Sequence, residues 1–461
     1  MADAVQSGTA ERRSFAESLA VYLRPRVIIV LLLGFSSGLP LALSGATLAI
    51  WMTERGVNLG TIGLFSLVGL PYTFKFIWAP VVDALNVPFF SRALGRRRGW
   101  LVFSQLILAA AIVFLGSLDP VAAPFWVAFG AVMVAAASAT QDIVIDAYRI
   151  EILSDAELPH GTAMNQFGYR TGNLIAGAGT IYLASAEGAG LGWAAAYGLT
   201  AFCVIPAIIG ALIAGPGIYI ERHVRAAGQT VGGWLMETVV NPFREFLGRR
   251  GAVLILLFVL IYKIGDAMGQ IMLAPMIVEL GFSDTEYVAV NKFVGFGALI
   301  FGSALGAPFI AWLGMGRALL FSGLLMMVSN FLFAVLAMAG DSNVMLGLAV
   351  GFENMTSGIG LTVFVTYLSG LSSLAYTATQ FALLSSFAAV GRTWLSTPSG
   401  ILAEELGWVG FWLMTVAVAV PGMLLLWMLW RKGFVVQSVR QPSTEDDGHE
   451  VPDSKPAPAT G

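Results

Sequence analysis

The chain has 461 residues, of which 57% are hydrophobic and 11% are charged, and its formal net charge at pH 7 is −3. Soluble globular domains carry about 25% charged residues, so this composition excludes a soluble globular protein and indicates an integral membrane protein. The charge balance does not indicate binding to nucleic acid. The one cysteine, Cys203, excludes an intramolecular disulfide.

The N-terminal segment, residues 1–26, is polar and includes Arg12, Arg13, Arg24 and Arg26. It lacks the short apolar core and small-residue cleavage site of a secretory signal. We therefore predict a cytoplasmic N-terminal segment, with the first membrane-spanning helix acting as a retained targeting signal.

Long apolar stretches follow along the chain. Backbone polar groups find no water in hydrocarbon, so each stretch is expected to be a helix of about 20 residues. The sequence predicts an all-α membrane protein with twelve such spans. They lie at residues 27–50, 61–83, 100–118, 122–147, 162–185, 192–214, 251–274, 288–311, 317–338, 344–368, 374–397 and 408–430.

Lysine and arginine lie almost entirely on one side of the predicted membrane. Segments on that side include residues 92–98, 222–225, 244–250 and 431–440, whereas the loops on the other side hold only Arg55. Cytoplasmic loops carry such an excess of positive charge. Both termini are therefore predicted to be cytoplasmic.

The longest connection, residues 215–250, divides the spans six and six and predicts two related bundles, 27–214 and 251–430. A short internal sequence similarity supports a common origin of the two bundles. Gln166 aligns with Gln380, and Gln141-Asp142 aligns with Glu353-Asn354.

We make two further predictions, one for the connection between the bundles and one for the C-terminal tail. Residues 232–250 could form a helix at the membrane surface, with its arginines facing headgroups and its large apolar side chains dipping inward. The arginines are Arg244, Arg249 and Arg250, and the apolar residues are Trp234, Leu235 and Phe246. The tail, residues 431–461, is predicted to be disordered and cytoplasmic.

Two bundles of six helices, a central cytoplasmic linker and a basic loop after the second helix describe the major facilitator architecture. Several motifs narrow the resemblance, and they occur in order from the second to the eleventh predicted helix. KFIWAP at 75–80, Asp83, GRRRGW at 95–100, QDIVIDAYR at 141–149, GYR at 168–170, YKIGDA at 262–267, VNK at 290–292, FEN at 352–354 and ATQFALLS at 378–385 resemble the AmpG-type muropeptide permeases.

The resemblance implies a proton-driven importer of anhydromuropeptides in the bacterial inner membrane, serving peptidoglycan recycling. The implied partners are this substrate and the lipid bilayer, with no nucleic acid, and a monomer is expected. The proton gradient would be the energy source, without a cofactor. No Gly-rich nucleotide loop or catalytic constellation appears, so an enzyme is not expected. Alternatives are a transporter for another anionic or sugar-peptide solute, an exporter, and a non-transporting receptor of the same fold.

Ionisable residues inside spanning helices are costly unless they are paired or face a cavity, so they are functional candidates. Apart from Asp83 at the end of the second span, the predicted spans hold four carboxylates, Asp142, Asp146, Asp266 and Glu353, while all three histidines lie outside the spans. Any coupled proton is therefore expected to use one of these acids. For Asp142 and Asp146 a structural role in an inner ion network remains an alternative. The predicted inner-gate residues are Asp83, Arg96, Arg97, Arg98 and Arg149.

Cations outnumber acids within the predicted spans, which favours an anionic solute. The predicted substrate-binding residues are polar or charged residues of the predicted spans. They are Tyr72, Lys75, Gln166, Tyr169, Arg170, Asn173, Lys263, Gln270, Asn354, Gln380 and Arg392. Alternatives are that Lys263 and Asp266 form a structural ion pair, that Arg170 pairs with Asp142, and that Arg392 reaches to the outer membrane surface. No metal site is predicted.

Overall fold

The computed structural model describes residues 19–58, 61–62, 65–215, 233 and 236–435, and within these ranges the regular structure is entirely helical. We label the main helical stretches in chain order. They are α1 Pro25–Glu54, α2 65–84, α3 Arg96–Gly116, α4 Pro124–Ile152, α5 158–184, α6 Trp193–Ile213, α7 Ala252–Glu279, α8 Val290–Leu313, α9 Met315–Ala339, α10 Asn343–Leu371, α11 Leu374–Trp394 and α12 Ser399–Arg431. Short helices at Phe90–Leu94, Asn241–Leu247 and Asp284–Ala289 lie between them.

Ten of these stretches in the described residues, all except α2 and α5, are long and apolar enough to cross a membrane. This confirms a multi-pass, all-helical membrane protein. The remaining two predicted spans, 61–83 and 162–185, fall on α2 and α5. The structures of α2 and α5 explain why these two stretches are not counted as long and apolar enough to cross a membrane. The predicted count of twelve spans stays a prediction.

The α2 stretch is a series of short helical segments, Phe65–Gly69, Leu70–Phe74, Lys75–Ile77 and Ala79–Ala84. Pro71 and Pro80 each lie at the start of one segment. Proline has no N–H to donate and clashes with the preceding turn, so it favours such interruptions. By contrast, α5 runs from Leu158–Leu174 through the wider turns of Ile175–Gly179 into Thr180–Ala184. Its polar residues, rather than its length, lower its hydropathy.

Successive helices are joined by connections that alternate between two ends of the bundle. We call the end that holds the α2–α3 and α4–α5 connections and residues 236–251 the linker end. At the opposite end, Arg55 after α1 pairs with Asp119 before α4 at 2.5 Å. Backbone N–H groups of Ala122 and Val121 donate to Asp119 and, with Arg55, hold its pKa below the usual range.

The structure places Phe246 of the linker differently from the sequence prediction. Phe246 is fully buried within the protein, in the apolar cluster that includes Ala252 and Ile255 of α7. The guanidinium of Arg249 lies 5.1 Å from the Phe246 ring centroid. The prediction that Phe246 dips into the membrane is therefore wrong, because the side chain packs against the start of α7. Trp234 and Leu235 lie outside the described residues, as do residues 1–18 and 436–461.

Helices α1 and α5 approach so closely that glycine is required where they cross. A Cβ added at Gly172 would lie 1.9 Å from the carbonyl oxygen of Phe35, and one added at Gly38 would lie 2.0 Å from that of Tyr169. Both obstacles are backbone atoms that cannot rotate away. Small residues permit this kind of helix contact in membranes, where van der Waals packing drives helix association.

We expect Gly172→Ala to force α1 and α5 apart and to lower the amount of folded protein, with a loss of about 2 kcal/mol or more of stability. Gly198→Ala in α6 is the matched control, since nothing lies within 4 Å of a Cβ there. Fluorescence-detected size-exclusion chromatography after heating measures both variants. Equal melting temperatures would contradict the close packing of α1 and α5.

Candidate functional site

The first element of the site is an ion pair within α7. The Lys263 Nζ lies 3.3 Å from the Asp266 Oδ2, with both side chains largely buried. The helix is interrupted here, because Ala252–Ile261 ends just before Lys263 and a second segment begins at Ile264. Asp266 therefore lies in the first turn of a helical segment, where free N–H groups favour a negative charge.

Glu353 of α10 lies beside this pair and is only 6% exposed. The Gln270 Nε2 of α7 donates to the Glu353 Oε1 at 3.4 Å. Asp266, Lys263 and Arg170 are the charged groups close enough to Glu353 to interact with it. Two carboxylates thus share one buried region with cations from both halves of the chain, since Arg170 belongs to α5.

Two arginines complete this central group. Arg170 of α5 and Arg392 of α11 are exposed, and Arg392 interacts electrostatically with Asp266, Tyr169 and Arg170. A cavity of about 100 Å³ lies against α7, α10 and α11 and is lined by Lys263 and Arg392. We name Arg170, Lys263, Asp266, Glu353 and Arg392 the central charge cluster. It brings three cations and two acids together, with Arg170 from the first half and the others from the second.

Asp142 of α4 forms a separate group within the first half. The Ser37 Oγ of α1 donates to its Oδ1 at 2.5 Å, and Lys75 and Asp146 are its charged neighbours. Lys75 is 9% exposed and lies in the tight turn Lys75–Ile77 of α2. The three helices α1, α2 and α4 therefore meet at this carboxylate.

Tyrosines and amides lie around both groups. Tyr72 and Tyr169 are close enough to Asp142 to interact with it. The Asn173 Nδ2 donates to the carbonyl oxygen of Gly38 at 3.3 Å, and the Asn354 Nδ2 donates to that of Val350 within its own helix at 2.9 Å. These two amides are therefore partly committed to helix contacts. Gln166 is half-buried in α5.

The linker end holds a second polar layer, built around Arg97 of α3. Its Nη2 lies 2.7 Å from the Asp83 Oδ1 and 2.5 Å from the Glu151 Oε1, and its Nε donates to both oxygens of Glu151. Arg97 is 4% exposed. Arg96 donates to the backbone oxygen of Asp83, and Arg98 donates to that of Ala214 at 3.2 Å.

Glu151 was not among the residues predicted for this layer. The sequence placed the end of the fourth span at residue 147, so Glu151 counted as part of a loop. The structure continues α4 to Ile152, which carries Glu151 into the helix beside Arg97. The sequence feature that could have indicated Glu151 is the run of three arginines, Arg96–Arg98, because a buried arginine needs nearby acids to compensate its charge.

Asp83 also connects the two halves of the chain. Its Oδ2 accepts hydrogen bonds from the backbone N and the Oγ1 of Thr379 at 2.8 and 2.7 Å, and its Oδ1 accepts from the Ala378 N at 3.3 Å. All three donor groups belong to α11. One carboxylate of the first half therefore compensates Arg97 and also holds the beginning of a helix in the second half.

Arg149 of α4 is fully buried and makes its own contact across the halves. Its Nη2 lies 3.2 Å from the Asp146 Oδ1 and donates to the Ser369 Oγ of α10 at 3.2 Å, while its Nη1 donates to the Thr162 Oγ1. The guanidinium is 5.4 Å from the Phe381 ring centroid. Asp146 and Arg149 therefore form an ion pair with each other within α4.

Gln380 lies in the linker-end layer instead of the central cluster. It is 1% exposed, and its Nε2 donates to the Pro242 backbone oxygen at 3.1 Å and to Glu245. Its Oε1 accepts from the Ser373 N at 2.8 Å and the Arg249 Nη2 at 3.1 Å. Gln380 lies only about 9 Å from the beginning of α11, measured along the helix. Its amide is bonded to the linker, so the predicted substrate contact is not made in this structure.

Comparisons with known proteins identify relatives of this chain. A family model described as acetyl-coenzyme A transporter 1 matches residues 26–126. The anhydromuropeptide permease of Escherichia coli strain K12 is 41% identical over 412 residues, covering 89% of this chain and 81% of that protein. The putative transporter AmpG 4 of Rickettsia conorii is 32% identical over 404 residues, covering 88% and 96%.

Solved structures support the fold. The major facilitator transporter FucP in the outward conformation has a TM-score of 0.65 at 12% identity, covering 88% of this chain and 99% of that one. A bacterial homologue of the iron transporter ferroportin has a TM-score of 0.63 at 16% identity, covering 89% and 100%. The sequence relatives show that the chain belongs to the AmpG-type muropeptide permease family, and the solved structures show that it has the major facilitator fold.

Proposed function

We propose that this protein imports anhydromuropeptides across the bacterial inner membrane by proton symport and thereby serves peptidoglycan recycling. It would act as a monomer with twelve spans and cytoplasmic termini, using the proton gradient and no cofactor. The identity to a protein named anhydromuropeptide permease supports the substrate. The observation that carries the proposal is the central charge cluster, where exposed cations lie beside two buried acids.

The cluster suits a solute that bears carboxylates. Arg170 and Arg392 are exposed and close enough to interact with each other, so their charges favour an anion between them. Guanidinium groups bind carboxylates through paired hydrogen bonds, which fixes orientation as well as attraction. Free carboxylates on the peptide of an anhydromuropeptide would supply this anion, with the sugar rings reaching Tyr72 and Tyr169 in the first half.

The acids in the cluster provide a means of coupling. Asp266 and Glu353 repel one another unless a cation or a proton compensates them. A substrate carboxylate that attracts Arg170 or Lys263 would draw that compensation away from the acids. A proton bound at Glu353 or Asp266 would restore it, so the solute and the proton would favour each other's binding. Asp142 and Asp146, with Lys75 and Arg149 nearby, offer a second place for the same exchange.

The linker-end layer would serve as the inner gate. Asp83 accepts a hydrogen bond from Thr379, and Arg149 donates one to Ser369. Both contacts join the first half to α11 or α10, so both must break if the halves are to separate at this end. Import would alternate between this arrangement, closed at the linker end, and one in which these contacts are lost.

Uptake of labelled anhydromuropeptide into proteoliposomes tests the proposed function. We expect saturable accumulation with an inward proton gradient and its loss when a protonophore is added. Accumulation that ignores the gradient would remove the proton symport. Absence of any anhydromuropeptide uptake, with transport of another anionic solute, would favour the alternative substrate.

Proton coupling predicts different effects on accumulation and exchange. Glu353→Gln and Asp142→Asn keep the side-chain shape but cannot lose a proton, so we expect gradient-driven accumulation to fall about ten-fold or more at whichever acid carries the proton. Exchange of labelled for unlabelled substrate at equal pH should persist. Glu404→Gln, at an exposed acid of α12, is the control. Wild-type accumulation in both variants would exclude these two acids as proton carriers.

Arg170 is predicted to bind the solute carboxylate. In Arg170→Gln we expect KM for uptake to rise about ten-fold or more, because a charge-assisted hydrogen bond contributes about 1.5–3 kcal/mol. Arg170→Lys should recover part of the affinity, since it restores the charge without the planar pair of donors. Arg55→Gln at the opposite end is the control. An unchanged KM in Arg170→Gln would argue against substrate contact.

A further inference from the structure

A second cavity lies at the linker end, outside the central cluster and the inner gate. Its volume is about 490 Å³, within the range of about 300–1,000 Å³ that small-molecule sites occupy. Leu158 and Pro159 at the start of α5 form one wall, and the ends of α8, α9, α10 and α12 form the others. The cavity therefore lies between the two halves of the chain.

The walls are mainly aliphatic. Leu158, Ile310, Leu313, Leu371 and Val435 all line the space. Because these residues come from the linker ends of their helices, they lie where a spanning bundle meets the lipid headgroups. Such a wall suits a hydrocarbon chain.

One buried polar group in the wall lacks a partner. Tyr367 of α10 lines the cavity and is 3% exposed, and its hydroxyl has no hydrogen-bond partner within the described ranges. The nearby buried Tyr262, in contrast, donates its hydroxyl to the Leu319 backbone oxygen at 2.8 Å. A buried hydroxyl is unfavourable unless it makes a hydrogen bond. An oxygen atom of a bound molecule would satisfy Tyr367.

The charges around the cavity favour an anion. Arg317 lines it and is exposed, and the lining residue Trp430 is followed by exposed Arg431 and Lys432. Asp155 is the one acid among the lining residues. Basic pockets between helices on the cytoplasmic side of membrane proteins bind the headgroups of anionic lipids.

We propose that this cavity binds one anionic phospholipid. An acyl chain lies among the aliphatic side chains, the phosphate lies at Arg317, and the Tyr367 hydroxyl donates a hydrogen bond to an ester oxygen. Since α5 belongs to the first half and the remaining walls to the second, the lipid contacts both halves. Its binding therefore stabilises the arrangement closed at the linker end. This proposal does not depend on the substrate or on proton coupling.

Gly370 offers a way to fill the cavity without disturbing the helix. It lies in α10, it lines the cavity, and a Cβ there meets nothing within 4 Å. Gly370→Leu places a side chain in the space that the acyl chain would occupy, whereas Gly370→Ala makes the same backbone change with little volume. Gly347→Leu, near the other end of α10 and also in open space, is the control for leucine itself.

Native mass spectrometry of the purified full-length protein with dioleoyl phosphatidylglycerol measures the binding. We expect one lipid bound with preference over dioleoyl phosphatidylethanolamine, and affinity about ten-fold weaker in Gly370→Leu but within about two-fold of wild type in both controls. Arg317→Gln should abolish the preference for the anionic lipid. Tyr367→Phe should weaken binding about five-fold, as expected for one lost hydrogen bond.

Several outcomes would overturn the proposal. Equal lipid affinity in Gly370→Leu and Gly370→Ala would place the lipid elsewhere. Full competition by soluble glycerol phosphate would show that the cavity binds an anion without an acyl chain. Equal binding of phosphatidylethanolamine would show that Arg317, Arg431 and Lys432 do not select an anionic headgroup. Lipid binding only after deletion of residues 436–461 would identify the chain's own tail as the occupant.

Discussion

The compensation of Arg97 by Asp83 and Glu151 is the interaction on which the linker end depends. A buried guanidinium is strongly unfavourable without acids around it, and removing one partner from such a network typically costs about 3–5 kcal/mol. Asp83 also accepts hydrogen bonds from the beginning of α11. The same carboxylate therefore satisfies a charge within the first half and closes the contact with the second, so the two requirements cannot be separated.

The central cluster divides its charges differently between the halves. Lys263, Asp266, Glu353 and Arg392 belong to the second half, and Arg170 belongs to the first. A relative movement of the halves would change how Arg170 compensates the two acids, whereas it would leave the Lys263–Asp266 pair within α7 intact. Under the proposed mechanism, this division is what connects the state of protonation to the position of the halves.

Close helix contacts limit which parts can move. Glycines in α1 and α5 bring those helices into backbone contact, and Gly391 of α11 does the same against Leu260 of α7. The contacts across the halves at the linker end include hydrogen bonds of Asp83 and Arg149 and an apolar cluster in which Ala378 and Ala382 of α11 pack with α4. Backbone contact between paired helices within each half favours rigid-body movement over deformation within each half. A lipid in the cavity beside α5 would add a further apolar contact between the halves.

The amino-acid sequence by itself determined the all-helical membrane class, the family and the identity of the deep charges, because apolar length and motif order are local properties of the chain. It also indicated Lys263 and Asp266 as neighbours, since residues three apart share a helix face. Tertiary structure decided the rest. Glu151 joined Arg97 because α4 extends past its apolar stretch, and Gln380 joined the linker because α11 begins just before it. The partners of Arg149 and the cavity at Tyr367 arise between helices distant in sequence, and no local periodicity specifies which helix ends will meet.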